Sequence, residues 1–228
     1  MTFDSPAPGL RIAQPERAFR YTSDAIWLAG FALEVAPGAR SALDLGTGSG
    51  VVALLLASHG IPVVGIDVRP EWAPLWQETL AGCRLPVSVE LRQADVSEPI
   101  DARFDLVVSN PPYFPAGTGP VAPDPWRRAA RTESTATLGT FVARGLAACE
   151  PGGRFCVVIP REREDDVLVA RGAHRVEHRV RVGRRRTLLC LGPGETGPIV
   201  EVDEGSARVR GWLALAGAGV DPDRARSY

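Results

Sequence analysis

Asp44-Leu45-Gly46-Thr47-Gly48-Ser49-Gly50 joins two apolar runs, Ser41 to Leu45 ahead of the glycines and Val51 to Ser58 behind them. A buried strand that turns through glycines into a helix is the entry to a doubly wound α/β unit, because glycine lets the backbone approach a ligand closely. The same alternation extends outward from this loop. Asp24 to Val35 reads as a capped, largely apolar helix closed by Ala36-Pro37-Gly38. Val63 to Ile66 is a second strand, Glu71 to Ala81 a Trp-bearing helix, and Val87, Val89 and Leu91 alternate as a third strand. Phe104 to Ser109 forms a fourth strand and Leu138 to Cys149 a helix, and Arg154 to Ile159 a fifth strand behind Pro151-Gly152-Gly153. Val176 to Val182 and Thr187 to Leu191, joined through Gly183 and an arginine run, read as an antiparallel pair closing an otherwise parallel sheet. The fold class is α/β: a doubly wound, Rossmann-like sheet of seven strands with a terminal antiparallel pair.

A chain of 228 residues with no repeat and no linker predicts one domain over 1–228. Residues 1–39 are expected as a helical cap over the glycine loop. Residues 198–228 are expected as a variable tail holding one strand, Ile199 to Val202, and one helix, Ala207 to Leu215. Composition is that of a globular protein, with 45% apolar residues and a formal net charge of -1. That average hides a basic segment: Val121 to Cys190 carries 14 arginines against 8 acids, and the chain contains no lysine. Such a segment is either a solvated face or a surface for a polyanion. The four cysteines form no CxxC pair and lie in or beside apolar segments, as reduced core thiols do. The N-terminus lacks the basic and apolar runs of a signal peptide, and no stretch nears the roughly 20 apolar residues of a membrane span. A cytoplasmic location is expected.

The chemistry of the glycine loop follows from its acids. A dinucleotide fingerprint would place Gly or Ala five residues after Gly46, where Val51 stands, and would have no acid directly ahead of the loop. Asp44 occupies that place and can offset a ligand's ammonium and sulfonium charge. Asp67, followed by Val68, ends the second strand and can accept both hydroxyls of a ribose. Asp95 follows the third strand and can accept from an adenine amino group. With Gly46, Thr47, Gly48 and Gly50 between them, these acids point to S-adenosylmethionine as cofactor.

Ser109-Asn110-Pro111-Pro112-Tyr113 follows the fourth strand, beside the same crevice. An exocyclic amine is a poor nucleophile because its lone pair is delocalised, so a site must hold its N–H groups and aim the lone pair. The Asn110 side-chain oxygen can accept one N–H and the Pro111 carbonyl the other. Pro112 stiffens the turn, and Tyr113 offers a flat face to a planar target. No prior general base is needed. Positive charge gathers on the nitrogen as the sulfonium is neutralised, and the proton leaves afterwards. Two lesser features have plainer readings. His174 and His178 lie in a predicted strand with no third ligand, so no metal is invoked. Trp72 and Trp76, at i and i+4, either flank an adenine or pack in the core.

On these motifs the chain resembles the amino-methyltransferases of the seven-stranded class I type that carry a D/N-PP-Y/F motif. Within that group it resembles the bacterial tRNA adenine N6-methyltransferases acting at adenine 37 of valine tRNA. The matching stretches are Tyr21 to Ala29, Asp44 to Gly50, Asn110 to Phe114, Ala130 to Glu133, Gly153 to Pro160 and Arg186 to Leu189. The resemblance implies that Thr22 and Asp24 help form the methionine end of the cofactor pocket, whereas the residues alone make Asp24 a helix N-cap. It also implies RNA, in particular tRNA, as the partner. Tyr113, Phe114, Arg127, Arg128 and Arg131 then become the substrate-binding candidates. Two other readings stand beside it. Release-factor methyltransferases share the Asn-Pro-Pro-Tyr motif and act on a glutamine amide, though they carry a sizeable helical domain ahead of the loop. A cofactor-binding RNA module without turnover would keep the glycine loop but has no need of Asn110 and Tyr113.

Overall fold

The computed structural model describes residues 1–15, 21–86, 88–112 and 136–217. The chain opens with an antiparallel ribbon, β1 (Thr2–Asp4) and β2 (Ile12–Gln14). Among the described residues a second sheet follows. It is built from β3 (Ala42–Leu45), β4 (Val63–Asp67), β5 (Val89–Gln93), β6 (Phe104–Ser109), β7 (Cys149–Pro160), β8 (Arg175–Val182), β9 (Arg186–Gly192) and β10 (Ile199–Val202). Across the sheet the order is β10-β8-β9-β7-β6-β3-β4-β5. The order reverses between β3 and β6, both of which start new parallel neighbours, and this switch point is where open α/β sheets hold ligands. Only β9 runs against its neighbours, β7 and β8.

The side-chain period of two divides each central strand between two cores. Ala42, Leu106, Val108, Cys156 and Val158 face one layer with α1 (Ser23–Val35) and α2 (Val51–Ser58). Leu43, Leu45, Val107, Phe155 and Val157 face the opposite layer, with α4 (Leu138–Ala147) and α5 (Glu164–Ala170). Between them in sequence, α3 (Ala73–Gly82) packs on β2 and β5. Strands buried on both faces have no polar side to show, so β3 and β6 read as near-continuous apolar runs. No helix among the described residues is long and apolar enough to cross a membrane.

Two expectations need correction. The sheet has eight strands rather than seven, because Ile199–Val202 pairs parallel to β8 outside the antiparallel pair. The stretch 1–39 is not wholly helical, since β1 and β2 precede α1. The strand and helix expected in 198–228 form at the bounds read from the sequence, Ile199–Val202 and Ala207–Leu215, and that helix, α6 (Ala207–Leu215), lies on α1, where Trp212 is fully buried and meets Phe31 edge to face with centroids 5.6 Å apart. Gly30 makes that contact possible. A Cβ there would stand 2.3 Å from the Trp212 carbonyl oxygen. Gly30→Ala should therefore push α6 off α1 and cost about 1–3 kcal/mol of stability, the usual penalty of overpacking, despite alanine's better helix propensity. Urea unfolding checks this: an unchanged midpoint would mean that α6 gives way freely.

Candidate active site

Strand β3 delivers Asp44 and Leu45 to the switch point, and the chain then turns through Gly46, Gly48 and Gly50 at φ of 71°, 54° and 82°. A side chain at any of the three would be strained. Gly46 also has the Phe141 ring 3.1 Å from where a Cβ would lie. The loop is tied down from both sides. Trp76, buried in α3, donates its indole N–H to the Gly48 carbonyl at 2.8 Å, and Gly48 donates its own N–H to Asp67 Oδ2 at 3.0 Å. Trp76 is thus a prop beneath the loop, while Trp72 forms part of the cleft wall.

Asp44 is 1% exposed, and Thr47 donates its hydroxyl to Asp44 Oδ2 at 2.6 Å. Burial pushes its pKa up to about 7, the hydrogen bonds from Thr47 and the Ala53 backbone oppose the rise, and the Asp67 charge adds to it. A carboxyl kept from water and poised near neutrality suits a cationic ligand group. Asp67, at the end of β4, is saturated with donors. Oδ1 accepts from the backbone and Nε of Arg69 at 3.0 and 3.1 Å, and Oδ2 accepts from Arg69 NH2 at 3.3 Å as well as from Gly48. The Arg69 guanidinium also lies 4.9 Å from the Trp72 ring centroid.

On the other flank, Ser109 ends β6 and donates its buried hydroxyl to the Leu45 carbonyl at 2.8 Å. That bond ties the end of β6 to the end of β3. It sets Asn110 and Pro112 on the same cleft as Asp44, Thr47, Gly48 and Asp67. Gly46 and Val68 line it too, with Tyr21 and Ala25 at the α1 side and Phe141 of α4. Gly50 and Pro111 stand next to lining residues without lining the cleft themselves.

Asp95 and Asp24 are placed differently from the reading of the residues alone. Val96, not Asp95, lines the cleft, and the Asp95 carboxylate accepts the Ser97 N–H at 2.8 Å to close its own turn. The N-cap of α1 is Thr22, not Asp24: Thr22 has extended backbone angles and its carbonyl accepts the Ala25 N–H. Asp24 sits inside the first turn, 5% exposed, in an ion pair with Arg186 Nε at 2.8 Å. Tyr113, Phe114, Arg127, Arg128 and Arg131 lie outside the described residues. Reading along the chain overlooked Arg69, and it quoted Ser109 at the head of its motif without giving the hydroxyl a role. Arg69 is a charge two residues after an acid, an ordinary surface pattern. Ser109 left only a faint signal, one hydroxyl residue ending an apolar strand.

The family model described as the methyltransferase small domain matches residues 30–179. The tRNA1(Val) (adenine(37)-N6)-methyltransferase of Porphyromonas gingivalis is 31% identical over 175 residues, which is 72% of this chain and 68% of that protein. The protein of the same name from Aeromonas salmonicida is 32% identical over 198 residues, 77% of this chain and 80% of its own length. Among solved structures, the 16S rRNA N2 G1207 methyltransferase of T. thermophilus, in complex with AdoMet and guanosine, superposes with a TM-score of 0.59 at 22% identity. The match covers 83% of this chain and 49% of that one, and it is a likeness of fold.

Proposed function

We propose, for a chain that belongs to the methyltransferase small-domain family, that it moves a methyl group from S-adenosylmethionine to N6 of an adenine in tRNA. The observation that carries this reading is the cleft that Asn110 and Pro112 share with Asp44 and Asp67. The donors and acceptors present fit the cofactor. Asp44 is a buried carboxyl held near neutrality, suited to an ammonium group, and Asp67 already accepts a fork of N–H donors, as a diol would require. When bound, the cofactor supplies an electrophilic methyl on a positively charged sulfur.

This chain's own groups position the acceptor. The Asn110 side-chain oxygen accepts one hydrogen of the adenine amine and the Pro111 carbonyl the other, which turns the nitrogen lone pair toward the methyl carbon. Both acceptors strengthen as the nitrogen gains positive charge, so they favour the transition state over the bound substrate. One N6 proton then passes to water. Tyr113, with Phe114, stacks on the base, and Arg127, Arg128 and Arg131 take phosphates. Thr22 and Asp24, flanked by the cleft residues Tyr21 and Ala25, frame the methionine end and Val96 the adenine end, within one methyltransferase domain working in the cytoplasm beside its tRNA.

The test is incubation with radiolabelled cofactor and, separately, total RNA and a protein extract. Label recovered as N6-methyladenosine supports the reading. Label recovered as methylglutamine in protein would replace it with the release-factor type of reaction.

Asp44 gives this proposal a pH signature. Its neutral form prevails below about 7, and the cofactor's ammonium favours the ionised form, so binding expels a proton. Affinity for S-adenosylhomocysteine should rise roughly tenfold from about pH 6 to about pH 8 and then level off. Calorimetry in buffers of differing ionisation enthalpy should register the released proton. The ligand-free protein has the opposite trend: the native pKa is raised above the unfolded one, so this carboxyl's contribution to stability is lost as pH climbs towards 7. A flat affinity profile would take Asp44 away from the ammonium.

A further inference from the structure

The C-terminal ends of the parallel strands carry more than the cleft. β9 runs antiparallel to β7 and begins at Arg186 opposite Pro160, so the turn that leads into it, Gly183 to Arg185, emerges at the same edge of the sheet. With β9 two strands from β6 and β8 three, that turn stands about 10–15 Å along the edge from Asn110. Its backbone is held at two points. Gly183, at φ +55°, donates to the Val202 carbonyl at 2.8 Å, and Arg161 donates its N–H to the Arg185 carbonyl at 2.9 Å.

Among the described residues, seven arginines lie around this turn and the strands and helix beside it, and five are matched to carboxylates. Arg161 pairs with Glu201 at 2.9 Å, Arg163 with Asp166, Arg179 with Glu164 at 3.1 Å, Arg181 with Glu164 at 3.1 Å, and Arg186 with Asp24 at 2.8 Å. Arg184 and Arg185 are exposed and have no ion pair with any described residue. Glu204 stands beside the turn, its carboxylate 3.4 Å from where a Cβ at Gly183 would lie, without pairing with either arginine. The turn also lacks an apolar anchor among the described residues, whose exposed large hydrophobics are Met1, Val169, Ile199 and Leu215, none of them on it. A protein partner relies on such anchors, whereas a phosphodiester chain asks only for fixed cations.

We propose that Arg184 and Arg185 form a phosphate clamp for the RNA strand whose target base enters the cleft, gripping it a few nucleotides from that base. This rests on the RNA reading of the active site. A guanidinium binds a phosphate through two parallel N–H bonds, and two of them on a braced turn lose little freedom on binding. The clamp takes phosphates irrespective of sequence, so it sets register and leaves base choice to the cleft.

The experiment pairs Arg184→Ala/Arg185→Ala with Arg175→Ala, an exposed arginine at the opposite end of β8. Binding of a fluorescent tRNA transcript is followed by anisotropy across a salt series, methyl transfer by steady-state kinetics, and S-adenosylhomocysteine affinity by calorimetry. The double variant should bind RNA on the order of thirtyfold more weakly at about 0.15 M salt, with a salt slope lower by about two. KM for RNA should rise while kcat and cofactor affinity hold, and Arg175→Ala should match wild type. An unchanged slope in the double variant, with wild type active on RNA, overturns the clamp alone. So does an equal loss in Arg175→Ala, which would make the effect one of overall charge. Wild type that labels protein but no RNA instead overturns the active-site reading beneath it.

Discussion

Asn110→Ala should bind S-adenosylhomocysteine as wild type does and yet transfer methyl groups at least about a hundredfold more slowly. The two halves of that expectation have separate origins. The cofactor side of the cleft is built from β3, β4 and the glycine loop, braced by Trp76 and by the Gly48 hydrogen bond to Asp67, and none of those braces runs through Asn110. The acceptor side depends on the end of β6, where the Ser109 hydroxyl bonded to the Leu45 carbonyl fixes the strand beside the loop. On the proposed reading, losing the amide therefore removes an acceptor for the reacting nitrogen and leaves the rest in place. Since that acceptor gains strength as charge develops, the loss should fall on kcat rather than on KM for RNA. Single-turnover kinetics with saturating cofactor separate the two. A variant whose chemical step matches wild type would strip Asn110 of its role and leave the motif a rigid turn.

The doubly wound sheet was legible because its central strands are buried on both faces and so are written as apolar runs. Phe104–Ser109 and Val51–Ser58 are bounded in the structure as their patterns predict. The elements that escaped notice are short or lack a pattern. β1 and β2 are three residues each, too brief for alternation to register, and α5 spans seven residues that begin with Glu164, Asp165 and Asp166. Glu164 in that helix is 5% exposed and bonds Arg181 and Thr187, a tertiary reason for burying an acid that no local pattern announces. The site shows the same division. Asp44 and Asp67 line one cleft and were legible because both stand at the C-terminal end of a buried strand, Asp44 just ahead of the glycine loop and Asp67 closing β4. The fate of Asp24 was not, since its partner Arg186 is 162 residues away. Its apparent N-cap role passed to Thr22 because extended backbone angles, not side-chain type, define where the helix starts.

Asp67→Ala should weaken S-adenosylhomocysteine binding by about 1.5–3 kcal/mol, the usual cost of losing hydrogen bonds to a charged group, and Arg69→Ala should strengthen it. The opposite signs come from one piece of geometry. Both carboxylate oxygens of Asp67 are engaged by Gly48 and Arg69, at 3.0 to 3.3 Å. A ribose that takes the carboxylate must displace the guanidinium, while the backbone bonds from Gly48 and Arg69 can stay. The ion pair is mostly shielded, with side-chain exposures of 20% for Arg69 and 7% for Asp67, so breaking it has a real but modest cost. Taking about 1 kcal/mol for a partly exposed pair, removal of Arg69 should tighten cofactor binding roughly fivefold. Calorimetry on both single variants and on the double variant closes a cycle. Once Asp67 is gone the guanidinium competes for nothing, so Arg69→Ala should then have no favourable effect. Weaker binding in Arg69→Ala alone would show that the guanidinium stays to contact the cofactor, and the competition would have to be abandoned.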